Sequence, residues 1–361
     1  MTLPADAIAR LRLIRTDSIG PVTYRQLVAR FGSAAAALDA LPDLARRGGR
    51  RLSLCAPDAA EAELAALGAI GAQPLFLGTP DYPALLAMSE TAPPVLITRG
   101  DVRLLERPAV AIVGARNASA AGSRFARQLA MDLGEAGQVI VSGLARGIDA
   151  AAHSAALPTG TVAVVAGGAD VAYPPENADL MARIAAQGLI VAEQPPGVEP
   201  QARHFPRRNR IIAALAAGTI VVEGAAKSGS LITARIAADL GREVMAVPGS
   251  PLDPRAGGCN QLIREGATLI TGAADVLEAL TALSGEPILP MQVAEAFVPP
   301  SLAAPETARA AVLALLSPTP APVDELVRQS GVAAAQVASV LLDLELEGVV
   351  VRHAGARVAL G

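Results

Sequence analysis

The chain contains no tryptophan, two cysteines, three histidines and, among 30 basic residues, a single lysine. Cys55 and Cys259 are too few for a disulfide scaffold or a zinc site, and His153, His204 and His353 cannot build a histidine-rich metal centre. A Ser-His-Asp constellation would have to draw on one of those three histidines. Long apolar runs are missing too. The longest uncharged stretch, Ala150 to Ala169, is 20 residues long, but His153-Ser154 and Pro158-Thr159-Gly160-Thr161 break it into short pieces. A spanning helix needs ~20 predominantly apolar residues without such a turn, so no segment qualifies. The first residues, Met1-Thr2-Leu3-Pro4-Ala5-Asp6, have neither the basic nor the apolar region of a secretory signal. These absences point to a cytoplasmic protein with no membrane span and no bound metal.

What is present is core-forming material. The 361 residues are 52% hydrophobic and 18% charged, enough for two or three domains and unlike a disordered chain. The net charge of −4 argues against coating nucleic acid through an overall field, so a nucleic-acid surface would have to be a local patch. The one ammonium left among the arginines, Lys227, is a position to watch.

Residues 1–80 read as a helical domain, SAM-like or helix-hairpin-helix-like, with apolar positions at Leu11, Ile14, Leu27, Phe31 and Leu38. Ser18-Ile19-Gly20-Pro21 forms a turn between two helices; either its amides meet a phosphate or it is a plain corner. Arg46-Arg47-Gly48-Gly49-Arg50-Arg51 reads as a solvated loop. From about residue 95 short β-branched runs alternate with helical stretches. Ala109–Val113, Val139–Val141, Thr161–Val165, Leu189–Val191, Thr219–Val222 and Val244–Val247 read as strands buried on both faces. Helical periods over Ser119–Glu135, Ile148–Leu157, Arg207–Ala216 and Ser230–Leu240 separate them. This predicts an α/β fold over 81–282, an extended Rossmann-like, doubly wound and mostly parallel sheet. A proline-rich linker follows over 283–303. Residues 304–361 read as a winged helix, two helices joined at Ser330-Gly331 and then a hairpin. The recognition helix of that module, Ala333 to Leu346, has no lysine or arginine, so the module is expected to be a protein-contact or regulatory element rather than a duplex reader.

In such a sheet, ligands bind at the carboxyl ends of the strands near the switch point. The loops there are rich in glycine: Gly114-Ala115-Arg116-Asn117, Ser142-Gly143-Leu144-Ala145, Gly167-Gly168 and Glu223 to Ser230. Neither Gly-x-Gly-x-x-Gly nor a Walker A order occurs, which leaves mononucleotide readings weak. Gln201-Ala202-Arg203-His204-Phe205-Pro206-Arg207-Arg208-Asn209-Arg210 is the most informative segment. It holds four arginines around a phenylalanine and no acid. Single-stranded nucleic acid needs that pairing, cations for phosphates and a ring on which a base stacks. The bland alternative is a helix-capping loop whose arginines pair with Glu193 or Glu199. Asp149 and His153, four apart, could form a carboxylate–imidazole pair or simply cap a helix, and Glu223 could be catalytic or could hold an arginine.

Gly114-Ala115-Arg116, Ser142 to His153, Phe205 to Ala213 and Lys227 to Ala234 together resemble the DNA-processing protein A family (DprA, also called Smf), strongly over about 80 to 280. The resemblance implies a protein of natural transformation that binds and protects incoming single-stranded DNA and loads RecA onto it. It also implies a homodimer formed through the Rossmann-like domain, with no cofactor, no metal and no enzymatic turnover. On the matching positions Arg116, Phe205, Arg207, Arg208, Arg210 and Lys227 would contact DNA, while Gly143, Asn209, Ser228 and Gly229 would shape the pocket. Two other functions compete. A phosphoribohydrolase-type enzyme would need the Pro-Gly-Gly-x-Gly-Thr-x-x-Glu signature, which is absent. A duplex-binding regulator would need cations on the recognition helix.

Overall fold

The computed structural model describes residues 4–47, 53–284, 306–353 and 355–361. They divide into two compact units, residues 62–284 in one and the described parts of 4–61 and 306–361 in the other.

The first unit is built on nine strands: β1 (Ala72–Phe76), β2 (Val95–Gly100), β3 (Ala109–Val113), β4 (Val139–Ser142), β5 (Thr161–Val165), β6 (Leu189–Ala192), β7 (Gly218–Val221), β8 (Glu243–Ala246) and β9 (Thr268–Leu269). Their order across the sheet is β1-β2-β6-β5-β4-β3-β7-β8-β9. From β6 to β9 every pair is parallel. The chain winds outward from β3 through β4, β5 and β6, then returns to β7 on the other side, so the switch point lies between β3 and β7. Strands β3, β4, β5, β6 and β7 are buried at every position, because helices cover both faces. The predicted doubly wound α/β fold is what the chain adopts.

Three details differ from the sequence reading. Residues 72–76 form a strand, so a boundary near residue 80 falls inside this unit; β1 pairs antiparallel with β2, and β2 with β6, as an added edge. The helix expected from Arg207 begins at His204, which sets Pro206 in its first turn, where the missing N–H has no partner to lose. Of the basic run at 46–51, Arg46 and Arg47 end the helix Ala34–Arg47, and the rest lie outside the described residues, as does nearly all of 283–303.

The second unit joins the two ends of the chain. The helices Pro4–Arg15, Pro21–Phe31 and Ala34–Arg47 pack around Leu13, Leu27, Leu38 and Leu41. The carboxy-terminal module has the expected helices Val323–Ser330 and Ala334–Leu346 and a hairpin of β11 (Val350–His353) and β12 (Arg357–Leu360). It adds a helix, Glu306–Leu315, and a short strand β10 (Ala321–Pro322) that the periodicity did not reveal. The recognition helix is apolar on two sides. Val337, Val340, Leu341 and Leu344 face the module's own core, whereas Leu342 and Leu346 enter the core of the amino-terminal helices. Arg30 and Asp343 clasp the same seam at 2.6 Å. A helix hydrophobic all round must be covered on both sides, and here the second cover comes from the far end of the chain. The amino-terminal helical domain and the winged-helix domain thus share a buried seam.

Leu342→Ala should cost about 2–5 kcal/mol in this unit. Amide hydrogen exchange should rise in the helices Pro21–Phe31 and Ala34–Arg47, some 300 positions away in sequence; exchange confined to residues 306–361 would contradict the shared core.

Candidate nucleic-acid interface

Two adjoining clefts open at the carboxyl ends of β3, β4 and β7. The first, about 500 Å³, runs from Arg116 and Asn117 past Phe205 and Asn209 to Lys227, Ser228 and Gly229. The second, about 430 Å³, lies between Arg116, Gly143, Arg146, Tyr173 and Phe205. Arg116, Asn117, Ala145, Phe205 and Arg208 line both, and Arg116, Phe205 and Arg208 make up the side-chain wall they share.

The wall is a stack of cations on one ring. The Arg116 guanidinium carbon lies 5.4 Å from the Phe205 centroid and that of Arg208 lies 6.0 Å away, both within cation–π range. Arg116 is exposed, whereas Arg208 is only 7% exposed. The Arg208 Nη1 donates to the Val164 carbonyl at 3.2 Å, and its Nε has no hydrogen-bond partner. Burial lowers the Arg208 pKa to about 10, with Asp149 acting in the opposite sense and Arg116 adding to the lowering, so the group stays cationic at neutral pH. Burial likewise raises the Asp149 carboxyl, opposed by the charge of Arg208 and by amide donors. Asp149 Oδ2 accepts from the amides of Gly143 at 3.2 Å and Ala145 at 3.3 Å, which ties the β4 loop to the buried pair. Gly143 leaves the space this needs: a Cβ there would lie 1.4 Å from Arg208 Nη1.

On the far side of the first cleft, Lys227 and the amino terminus of the helix Gly229–Asp239 supply positive potential. Ser228 caps that helix, and the Asn209 amide reaches the Gly229 carbonyl at 3.5 Å. The helix after β3 is different. Ser119 donates to Glu223 through its amide at 2.9 Å and its hydroxyl at 2.5 Å, and a Cβ on Gly122 would meet that carboxylate at 2.5 Å. Rossmann folds seat a dinucleotide pyrophosphate at the amino terminus of the first helix. Here the chain's own carboxylate sits there. Glu223 thus holds a helix end, not an arginine.

Seven of the predicted residues, Arg116, Phe205, Arg208, Asn209, Lys227, Ser228 and Gly229, line the first cleft, and Gly143 lines the second. Arg207 and Arg210 line neither. Arg207 is exposed on the outer side of its helix turn, and Arg210 is held by Glu193 and the Thr91 carbonyl. The expected pairing of arginines with Glu193 thus applies to Arg210. Asp149 and His153 do not form a pair. The Thr161 hydroxyl donates to the Ile140 carbonyl, so it accepts from His153 Nδ1, which makes that nitrogen the protonated one. Tyr173 and Arg255 were missed by sequence reasoning; each stands far along the chain from the basic segment. No cluster of metal-ligating side chains occurs among the described residues, and no helix among them is long and apolar enough to cross a membrane.

Residues 73–281 match the family model described as DNA recombination-mediator protein A. The chain belongs to the DprA family. Residues 4–66 match the DprA-like N-terminal HHH domain and residues 298–356 the DprA winged helix domain. The chain is 44% identical to the DNA processing protein DprA of Bacillus subtilis over 220 residues, covering 60% of this chain and 74% of that protein. It is 38% identical to protein Smf of Escherichia coli over 287 residues, 77% of this chain and 75% of that one. Among solved structures, DprA of Streptococcus pneumoniae superposes with a TM-score of 0.65 at 36% identity, covering 77% of this chain and 98% of its own. DprA of Helicobacter pylori, solved to show its single-stranded DNA binding mode, gives a TM-score of 0.54 at 31% identity over 58% of this chain and 96% of its own.

Gly143→Ala should expel the Arg208 guanidinium and leave Asp149 buried without its countercharge, a loss of about 3–5 kcal/mol in denaturant unfolding. His153 makes a second prediction. Burial, assisted by the charge of Arg208, lowers its pKa from 6.5 to about 3. The unfolded chain therefore binds the proton first, and the stability His153 contributes is present above pH 6.5 and lost as pH falls toward 3. Between pH 7 and 5 the wild type should lose about 2 kcal/mol more than His153→Gln; equal losses would refute the assignment.

Proposed function

We propose that this chain binds single-stranded DNA across the twin cleft without chemical turnover, and passes it to RecA during natural transformation in the cytoplasm, as a homodimer. The observation that carries this reading is the Phe205 ring with a guanidinium at 5.4 Å and another at 6.0 Å, set over glycine-lined strand ends. A ring and cations at that spacing suit unpaired bases joined by phosphates, since every base has a face to stack and stacking is worth ~1–3 kcal/mol per base. A duplex keeps its bases stacked on each other and offers the ring nothing. The carboxylate at the first helix argues against a dinucleotide ligand. Membership of the DprA family and the described binding mode of the Helicobacter pylori relative support the same reading.

A mobility-shift comparison of single- and double-stranded oligonucleotides, with and without RecA, tests it directly; preference for the duplex would overturn it. Each phosphate contact contributes about −0.7 to the slope of log affinity against log salt for single strands. Arg116→Ala and Lys227→Ala should each reduce the slope by about that amount. Arg210→Ala, whose side chain is engaged by Glu193, should leave it unchanged. Release of free base from nucleoside monophosphates would favour the enzyme reading instead.

A further inference from the structure

The second cleft has features that binding in the first does not use. Its outer side is Tyr173, whose ring centroid lies 5.6 Å from that of Phe205 at an interplanar angle of 59°. The chain has three tyrosines. Tyr24 and Tyr82 are 3% and 5% exposed, whereas Tyr173 is 44% exposed. Pro174 and Pro175 follow it directly, so the backbone behind the ring has little freedom to lose on binding. Beside it stands Arg146, whose partner Glu176 is 2.7 Å away, with 60% and 58% of the two side chains exposed. An ion pair that open to water is worth ~0–1 kcal/mol and yields readily to a phosphate.

We infer that the second cleft seats a further base of the bound strand, stacked on Tyr173, with Arg146 meeting the adjoining phosphate. The inference rests on the single-strand reading above. Because the Arg116–Phe205–Arg208 wall is common to both clefts, a ligand filling both must cross it. A polymer that repeats a planar face and a negative charge can do so. The strand would then have consecutive bases parted by the wall rather than stacked on one another, each facing its own aromatic ring. The Phe205 and Tyr173 rings are tilted, so they present two separate platforms instead of one continuous one.

The absence of tryptophan makes a direct test possible. In the full chain, Tyr173→Trp introduces a sole tryptophan, whose emission should be quenched as an end-labelled oligothymidylate binds, along the same titration curve as the label's anisotropy. Tyr173→Ala should weaken binding roughly tenfold, and Tyr173→Phe, which keeps the ring, should restore it. Unchanged emission at saturating anisotropy, or wild-type affinity in Tyr173→Ala, would overturn the second platform while leaving the first cleft's reading intact. If the wild-type chain gives no anisotropy change with the same oligonucleotide, the single-strand reading and this inference fall together. Melting curves of the variants separate lost folding from lost binding, and the Tyr173→Trp titration gives its answer even if Tyr173→Ala fails to fold.

Discussion

A guanidinium buried beneath a phenylalanine organises the whole cleft. Placing Arg208 at 7% exposure is costly unless a countercharge and hydrogen bonds accompany it. Asp149 supplies the charge, and the amides of Gly143 and Ala145 fix Asp149. The loop after β4, the helix that begins at His204 and the underside of Phe205 are thereby one assembly. Phe205 has the buried Arg208 guanidinium carbon 6.0 Å from its centroid and that of the exposed Arg116 at 5.4 Å. A residue larger than glycine at 143 would break the arrangement at its tightest point.

The same sheet end carries two helix amino termini with different surroundings. A helix amino terminus favours an anion, and the carboxylate of Glu223 already occupies the one after β3. The helix after β7, capped by Ser228 and flanked by Lys227, remains on the cleft side. Positive potential is thus shifted across the switch point, toward the basic segment and away from the usual dinucleotide seat. Arg116, Arg208 and Lys227 line the first cleft on that side.

The terminal unit obeys a different constraint. Its recognition helix has no cations and two apolar faces, and the second face is satisfied by Leu13, Leu27 and Leu38 from the other end of the chain. That face is filled by the chain's own amino-terminal helices.

Buried strands of β-branched residues and helical periods between them made the parallel core legible, since local apolar patterning reports burial on both faces. The antiparallel edge at β1 was not legible: Ala72–Phe76 has no β-branched residue, contains Gln73 and Pro74, and closely follows the helix Pro57–Ala69. The basic-aromatic segment and the glycine loops were visible as a composition, as were the family motifs. Sequence alone could not sort its arginines, because Arg208 and Arg210 differ only in which way one helix turn points them, toward Asp149 or toward Glu193. It also could not bring Tyr173 beside Phe205, 32 positions on, or Leu342 to the amino-terminal helices. Those pairings depend on how strands are ordered and faces are packed, which is a property of the folded chain and not of any stretch of it.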